Sequence, residues 1–327
     1  MNRRDFIYSS SLAVLGGLSV SSEAFGKKYK PNSMVNGVQI GAITYSFRSL
    51  PGSPKDVLKY CIDSGISAIE LMGEPAEEFA GAPKNPFNRG SFFKNGKRRR
   101  PTAEERAQMK AHAENLANWR STVSMKPFKK MGKMYKKAGV SIYAFKPRAL
   151  GADNSDTEIS YAMRAAKALG ASSVTVELPR DSGQTLRLGK LGEQHGIYVG
   201  YHAHLQATDT LWDEALAQSP FNSMNLDCGH YIAAGGDNTT ESLLKLIEAK
   251  HDRITSMHIK DRLNKANGSA NMPWGEGNTP IKEVLSLIRD KKYDIPCTIE
   301  LEYPVPEASD AVKEVGRCFE FAKGALS

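Results

Sequence analysis

From Val38 onward the chain alternates short, almost wholly apolar runs with longer stretches whose apolar residues recur at helical spacing. The short runs predict eight strands: Val38–Thr44, Ile66–Leu71, Val140–Phe145, Ser172–Leu178, Ile197–His202, Ser223–Asp227, Ile254–Ile259 and Pro296–Leu301. Most lack the apolar–polar alternation of a strand with one wet face, and read as parallel strands buried on both faces. Helices are predicted between them over Pro54–Ser64, Thr157–Leu169, Gly183–His195, Ser242–Lys250, Ile281–Lys291 and Ser309–Lys323. Four helix-to-strand junctions carry glycine, as Ser64-Gly65-Ile66, Ala138-Gly139-Val140, Leu169-Gly170-Ala171 and His195-Gly196-Ile197. Glycine suits the left-handed residue that follows a helix because it has no Cβ. Eight strands with interleaved helices in about 290 residues predict an α/β protein, a single (β/α)8 TIM barrel. A doubly wound open sheet is the alternative, and no GxGxxG follows the first strand to favour its dinucleotide-binding form.

One connection is too long for that plan. Residues 73–139 join the second and third strands, where one helix needs about twenty residues. The surplus is a loop, 73–101, followed by a long helical stretch from Thr102. From Phe79 to Ala103 there is no acidic residue, whereas Lys84, Arg89, Lys94, Lys97, Arg98, Arg99 and Arg100 all fall there. The plainer reading is a solvated loop; the functional one is an anion-binding or lid element. A βα connection leaves its strand at the end where barrel sites form, so the insertion is expected to cover the mouth. Phe87, Phe92 and Phe93 in it need a packing partner, which a sugar face, the barrel rim or a second subunit of a homo-oligomer supplies.

The N-terminus reads as an address. Arg3-Arg4-Asp5-Phe6-Ile7 precedes a mild apolar stretch from Leu12 to Val20 and the small residues Ser22-Glu23-Ala24. That order resembles a twin-arginine export signal over residues 1–24, which leaves a mature, periplasmic barrel over 25–327. The apolar stretch is too short and too rich in serine and glycine for a polytopic membrane protein, and no membrane span is expected in the mature chain. The net charge of +8 is unchanged by removing residues 1–24, which hold two basic and two acidic side chains. It permits an anionic partner without requiring one. Cys61, Cys228, Cys297 and Cys318 have no CxxC spacing, against a zinc ribbon or a thioredoxin-type redox site.

Chemistry in such a barrel sits at the C-terminal strand ends. The fourth to eighth strands end in Glu177, in His202 with His204, in Asp227 with His230 beyond, in His258 with Lys260, and in Glu300 with Glu302. Burying even one such group unpaired is unfavourable, and a shared divalent cation explains their convergence. Asp227, His258 and Glu300 are the core of the predicted metal set, completed by Glu177, His202 or His204. A mixed set of carboxylates and imidazoles suits Mn²⁺ first, then Zn²⁺, Co²⁺ or Fe²⁺, and not Ca²⁺. Glu300 or Glu177 is the candidate base, and His230 either contacts substrate or caps the next helix. Arg48, Lys146, Lys260 and Trp274 are candidate substrate contacts, and Glu70 at the end of the second strand is a further acid, base or orienting group.

At Leu226-Asp227-Cys228-Gly229-His230, Met257-His258-Ile259-Lys260-Asp261, Gly275-Glu276-Gly277-Asn278 and Ile299-Glu300-Leu301-Glu302 the chain resembles the xylose-isomerase-like barrel superfamily. That group includes sugar isomerases and epimerases and endonuclease IV, and the resemblance covers nearly all of residues 25–327. It implies one metal held by Glu, Asp, His and Glu from the fifth to eighth strands, of which Asp227, His258 and Glu300 match the last three. His202 stands where the fifth-strand glutamate belongs, so the two-glutamate proton shuttle of ketose 3-epimerases cannot run unchanged. The Tyr201-His202-Ala203-His204 variant is similar to members described broadly as sugar isomerases or epimerases, and to inosose dehydratases. Endonuclease IV needs further histidines for three zinc ions. The segments Lys260-Asp261-Arg262-Leu263-Asn264 and Phe145-Lys146-Pro147 lack them, so no nucleic-acid partner is expected. The resulting expectation is a metal-dependent isomerase or epimerase of a neutral or oxidised sugar. A dehydratase or lyase on a keto-sugar or inosose and a non-catalytic sugar-binding barrel are the alternatives.

Overall fold

In the computed structural model, residues 30–87, 91–94 and 97–327 are described, and the predicted signal segment lies outside them. The eight apolar runs become β1 (Val38–Ile43), β2 (Ala68–Met72), β3 (Ser141–Lys146), β4 (Ser173–Glu177), β5 (Tyr198–His202), β6 (Asn222–Asp227), β7 (Ile254–Ile259) and β8 (Cys297–Ile299). Each pairs with the next in parallel, and β8 returns to β1 with Thr298 opposite Gly41, closing the ring. The expected single (β/α)8 barrel is therefore the fold. Closure also explains the missing alternation: helices cover the outer face of every strand and side chains fill the inside.

The outer ring is built from α1 (Pro54–Asp63), α5 (Asp156–Leu169), α6 (Ser182–His195), α7 (Asp213–Gln218), α8 (Cys228–Ala234), α9 (Thr240–Lys250), α10 (Ile281–Lys291) and α11 (Ala311–Leu326). Local signals set their ends. Ser53 accepts from the Asp56 N–H with Pro54 at the first helical position, and Ser155 and Glu158 form a capping box for α5. Gly65, Gly139, Gly170 and Gly196 all have positive φ, between 66° and 96°, as the junction pattern requires.

The connection after β2 is filled by α2 (Gly73–Phe79), a small hairpin pairing Phe93–Lys94 with Lys97–Arg98, α3 (Ala103–Thr122) and α4 (Lys126–Ala138). The amphipathic α4 buries Phe128, Met131 and Tyr135 against the barrel and takes the covering position that the plan assigns to one helix. Helix α3 is polar nearly all round, and Arg120 is its one buried side chain. Its guanidinium lies 2.9 Å from Glu77 and 3.1 Å from Glu158, with the Tyr161 hydroxyl also donating to Glu77. The long helix is thus pinned near its C-terminal end by a buried ion cluster, with Trp119 packed edge-on against Tyr161, and carries no continuous apolar stripe. In the loop, Phe87 packs on Phe92 with ring centroids 5.1 Å apart, and Arg99 lies against Phe92 while pairing with Glu105. Among the described residues no helix is long and apolar enough to cross a membrane.

The inside of the ring is unusually polar. Tyr143 crosses it to hydrogen-bond Thr298, its oxygen 2.6 Å from the threonine hydroxyl. A Cβ on Gly41 would lie 2.8 Å from that tyrosine oxygen, so the ring passes only where β1 has no side chain. Above it, nearer the strand C-termini, Glu70, Thr175, Asn225 and Ser256 form a buried polar floor under the mouth.

Candidate metal centre

Four side chains from β5, β6, β7 and the end of β8 meet above this floor. His202, Asp227, His258 and Glu300 each offer a donor atom, all within 4.8 Å of one another, and all four are buried. His258 Nδ1 is 3.0 Å from Glu300 Oε2 and 4.0 Å from Asp227 Oδ2, and His202 Nε2 is 3.8 Å from the same Asp227 oxygen.

Neighbouring groups fix the atom each residue presents. Asp227 caps α8, its Oδ1 accepting the His230 N–H at 2.7 Å, which aims Oδ2 inward. Asn225 donates from Nδ2 to Glu70 Oε2 and Ser256 Oγ, so its Oδ1 faces His202 Nδ1 at 2.9 Å as an acceptor. The His202 proton therefore sits on Nδ1, and the Nε2 lone pair faces the cluster. On the other side, His258 Nε2 is 2.8 Å from Glu70 Oε2, and Thr175 donates to Glu70 Oε1 at 2.6 Å. Glu70 is thus the carboxylate that orients His258.

The electrostatics suit a cation. Burial, helped by Lys146 and His258, pushes His202 well below the ordinary imidazole range and keeps its lone pair. Burial opposes ionisation of Glu300 too, but Lys260 and His258 outweigh it and hold the carboxyl well below the usual range. Asp227 is raised by burial and by the Glu300 charge, and its Oδ2 is a buried oxygen with no hydrogen bond. Burial also opposes a charged His258, yet Glu300 and Glu70 on opposite sides raise it to about 10. The ring keeps both protons at neutral pH unless a cation takes Nδ1. An oxygen without a hydrogen bond, beside two oriented imidazoles and a second carboxylate, fits a divalent transition ion.

The remaining predicted residues surround this set. Glu177 is not among the four: its half-exposed carboxylate is 3.0 Å from Lys146 and 3.1 Å from His204, which draw it to the rim. These two partners outweigh its burial and hold it well below the usual range, while its hydrogen bond raises His204. His204 stacks on His230 at 4.5 Å and forms, with His202 and His230, a second group of close imidazoles. His230 does not cap the helix with its side chain; the ring lies between Arg262 and Lys260, and burial with their charges lowers it to about 2. Lys260 Nζ lies 3.0 Å from Asp227, 2.6 Å from Glu300 and 2.8 Å from Glu302. Arg48 donates to the Leu301 and Tyr45 carbonyls at the edge of the mouth. Trp274, half-buried in the loop after β7, packs edge-on against Phe321. The sequence reading missed Asn225, Thr175 and Ser256. Asn225 and Ser256 lie two residues before Asp227 and His258, so the period-two rule that selected the ligands also pointed to them.

Comparison with known proteins gives the same fold. No curated protein matches the chain. Among solved structures, a sugar phosphate isomerase/epimerase from Parabacteroides distasonis ATCC 8503 is 17% identical with a TM-score of 0.56, over 89% of this chain and 95% of that one. The probable 3-DHS dehydratase AsbF of Bacillus anthracis is 15% identical with a TM-score of 0.58, over 86% and 98%. A xylose isomerase-like TIM barrel protein from Mycobacterium smegmatis, in complex with magnesium, is 12% identical with a TM-score of 0.50, over 89% and 98%. The family model for xylose isomerase-like TIM barrels matches residues 105–320, more than half of the chain, and the chain belongs to that family.

Proposed function

We propose that this barrel is a divalent-metal-dependent enzyme that removes a proton beside the carbonyl of a neutral or oxidised sugar and returns it elsewhere, as an isomerase or epimerase. The observation that carries the reading is the convergence of His202, Asp227, His258 and Glu300, with both imidazoles oriented by Asn225 and Glu70. Those four residues would hold the ion, Mn²⁺ in preference to Zn²⁺, Co²⁺ or Fe²⁺; a barrel of similar fold is in complex with magnesium. A bound divalent ion supplies Lewis-acid polarisation of a substrate carbonyl and its neighbouring hydroxyl.

The chain supplies the rest. Glu177 sits within reach of a substrate at the mouth, and it becomes a competent base as the substrate displaces Lys146 and His204, the partners that hold its carboxyl well below the usual range. His204, whose protonated form the Glu177 carboxylate favours, is placed to return a proton to the substrate. Lys146, with Arg48 and Trp274 at the rim, positions substrate oxygens, and the 73–139 insertion, which leaves β2 at the site end, is assigned the role of excluding water. Export by the Arg3-Arg4 signal places the enzyme in the periplasm, away from sugar phosphates; an Arg3→Lys/Arg4→Lys chain is expected to stay in the cytoplasm.

A second reading, elimination of a β-hydroxyl or β-glycosyloxy group, is favoured by His202 itself. It removes one of the two carboxylates that a two-sided proton shuttle needs, whereas elimination needs one base. The test is incubation of the Mn²⁺-loaded protein with ketoses and 3-keto-sugars in D₂O, followed by NMR. Deuterium at the carbon beside the carbonyl supports proton abstraction, retained skeleton marks isomerisation, and an unsaturated product marks elimination. No exchange into any of these carbonyl sugars contradicts the proposal.

A further inference from the structure

We infer that Lys260 is a tethered counter-cation of the donor cluster, which an incoming divalent ion displaces towards Glu302. The inference rests on the metal reading above and adds a residue that competes with the ion for its seat. The Lys260 side chain is 3% exposed, and its ammonium bridges three carboxylates, two of which, Asp227 and Glu300, belong to the four-donor set. A divalent ion among the same oxygens and an ammonium about 3 Å from each would repel strongly in so buried a place. One must leave.

Three features identify the ammonium as the one that moves. Its contact with Asp227 Oδ2 is 3.0 Å, yet that oxygen has no hydrogen bond, so the lysine neutralises the charge without meeting the directional demand. Its contact with His230 is also poor. His230 Nε2 is 3.1 Å from Lys260 Nζ and Nδ1 is 2.5 Å from Arg262 Nη1. A neutral imidazole has one bare nitrogen, and ammonium and guanidinium only donate, so one of the two contacts sets N–H against N–H. Withdrawal of Lys260 removes that conflict. Finally, the stem is seated and only its charged end has to shift. It lies against Gly229 in the first turn of α8, where a Cβ would be 2.4 Å from Lys260 Cγ. Glu302, nearer the mouth and 22% exposed, already accepts from the ammonium at 2.8 Å and keeps it when the other two carboxylates are taken.

The test is calorimetric titration of the chelator-stripped full chain with MnCl₂, repeated with ZnCl₂, alongside thermal melting of the stripped protein. Lys260→Met is expected to bind the ion roughly tenfold more tightly and to melt at lower temperature when stripped. Glu302→Gln, which removes the destination, is expected to weaken binding severalfold in the parent and to leave it unchanged in the Lys260→Met background. If Lys260→Met binds within twofold of the parent or more weakly, the lysine does not compete and the inference is wrong. If the Met variant does not fold, Glu302→Gln decides alone, and unchanged affinity overturns the inference. A parent that binds neither ion overturns the metal reading as well, which separates the two failures.

Discussion

Asn225 decides which nitrogen His202 offers, through a single contact at 2.9 Å. Replacing it with leucine keeps the volume and removes the acceptor, leaving the ring free to turn or change tautomer. Loss of such an orienting partner typically costs 10- to 100-fold in metal affinity, so Asn225→Leu is expected to weaken Mn²⁺ binding by about that factor with the fold intact. Calorimetry and circular dichroism check it, and undiminished affinity would show that His202 is oriented by something else. At this scale much was legible. Asp227, His258 and Glu300 followed from their places at strand ends, and the structure brings them together with His202. What alternation along a strand cannot give is the height of each side chain around a staggered ring. Glu177 ends β4 as Asp227 ends β6, but Lys146 and His204 hold it at the rim. Glu70, by contrast, is drawn to the floor by His258, Thr175 and Asn225.

Among the elements, the insertion departs furthest from the repeating βα pattern. Its length and its start at the site end of β2 were plain from the sequence; its attachment was not, because Arg120, Glu77 and Glu158 are far apart in sequence and carry no periodic signal. Arg120→Met leaves two buried carboxylates without their cation. The expected destabilisation is about 3 to 5 kcal/mol, measured by denaturant unfolding, whereas a change below about 1 kcal/mol would place the anchorage of α3 elsewhere. Deleting residues 80–99 addresses the covering role. A lid predicts that metal is retained, the oligomeric state is unchanged and turnover is lost; surviving turnover with a changed oligomeric state would make the loop a subunit contact.

The whole molecule buries all four cysteines, and burial raises Cys61, Cys297 and Cys318 to about 12. An unfolded thiol titrates at about 8.5, so above that pH the folded chain holds protons that the unfolded chain has released. The stability they contribute is complete below about pH 8.5 and is lost as pH rises towards about 12. Melting temperature should therefore fall from about pH 8 to about pH 10, and a thiol reagent should stay unreactive until the chain unfolds. A flat or rising melting curve would argue against buried thiols. The barrel itself was readable as a whole because eight strand-length runs alternate with helical stretches along the sequence, a property of the chain rather than of any one residue.

The ends of β5 to β8 are proposed to form one metal site. The most direct test is elemental analysis of the purified full chain after loading with Mn²⁺ and desalting, compared with Asp227→Asn, which keeps the volume and the cap of α8 while removing the charge. Roughly one bound ion per parent chain, and at least tenfold less in the variant, is expected. A parent without a stoichiometric transition metal, or a variant that retains the parent's content, would contradict it.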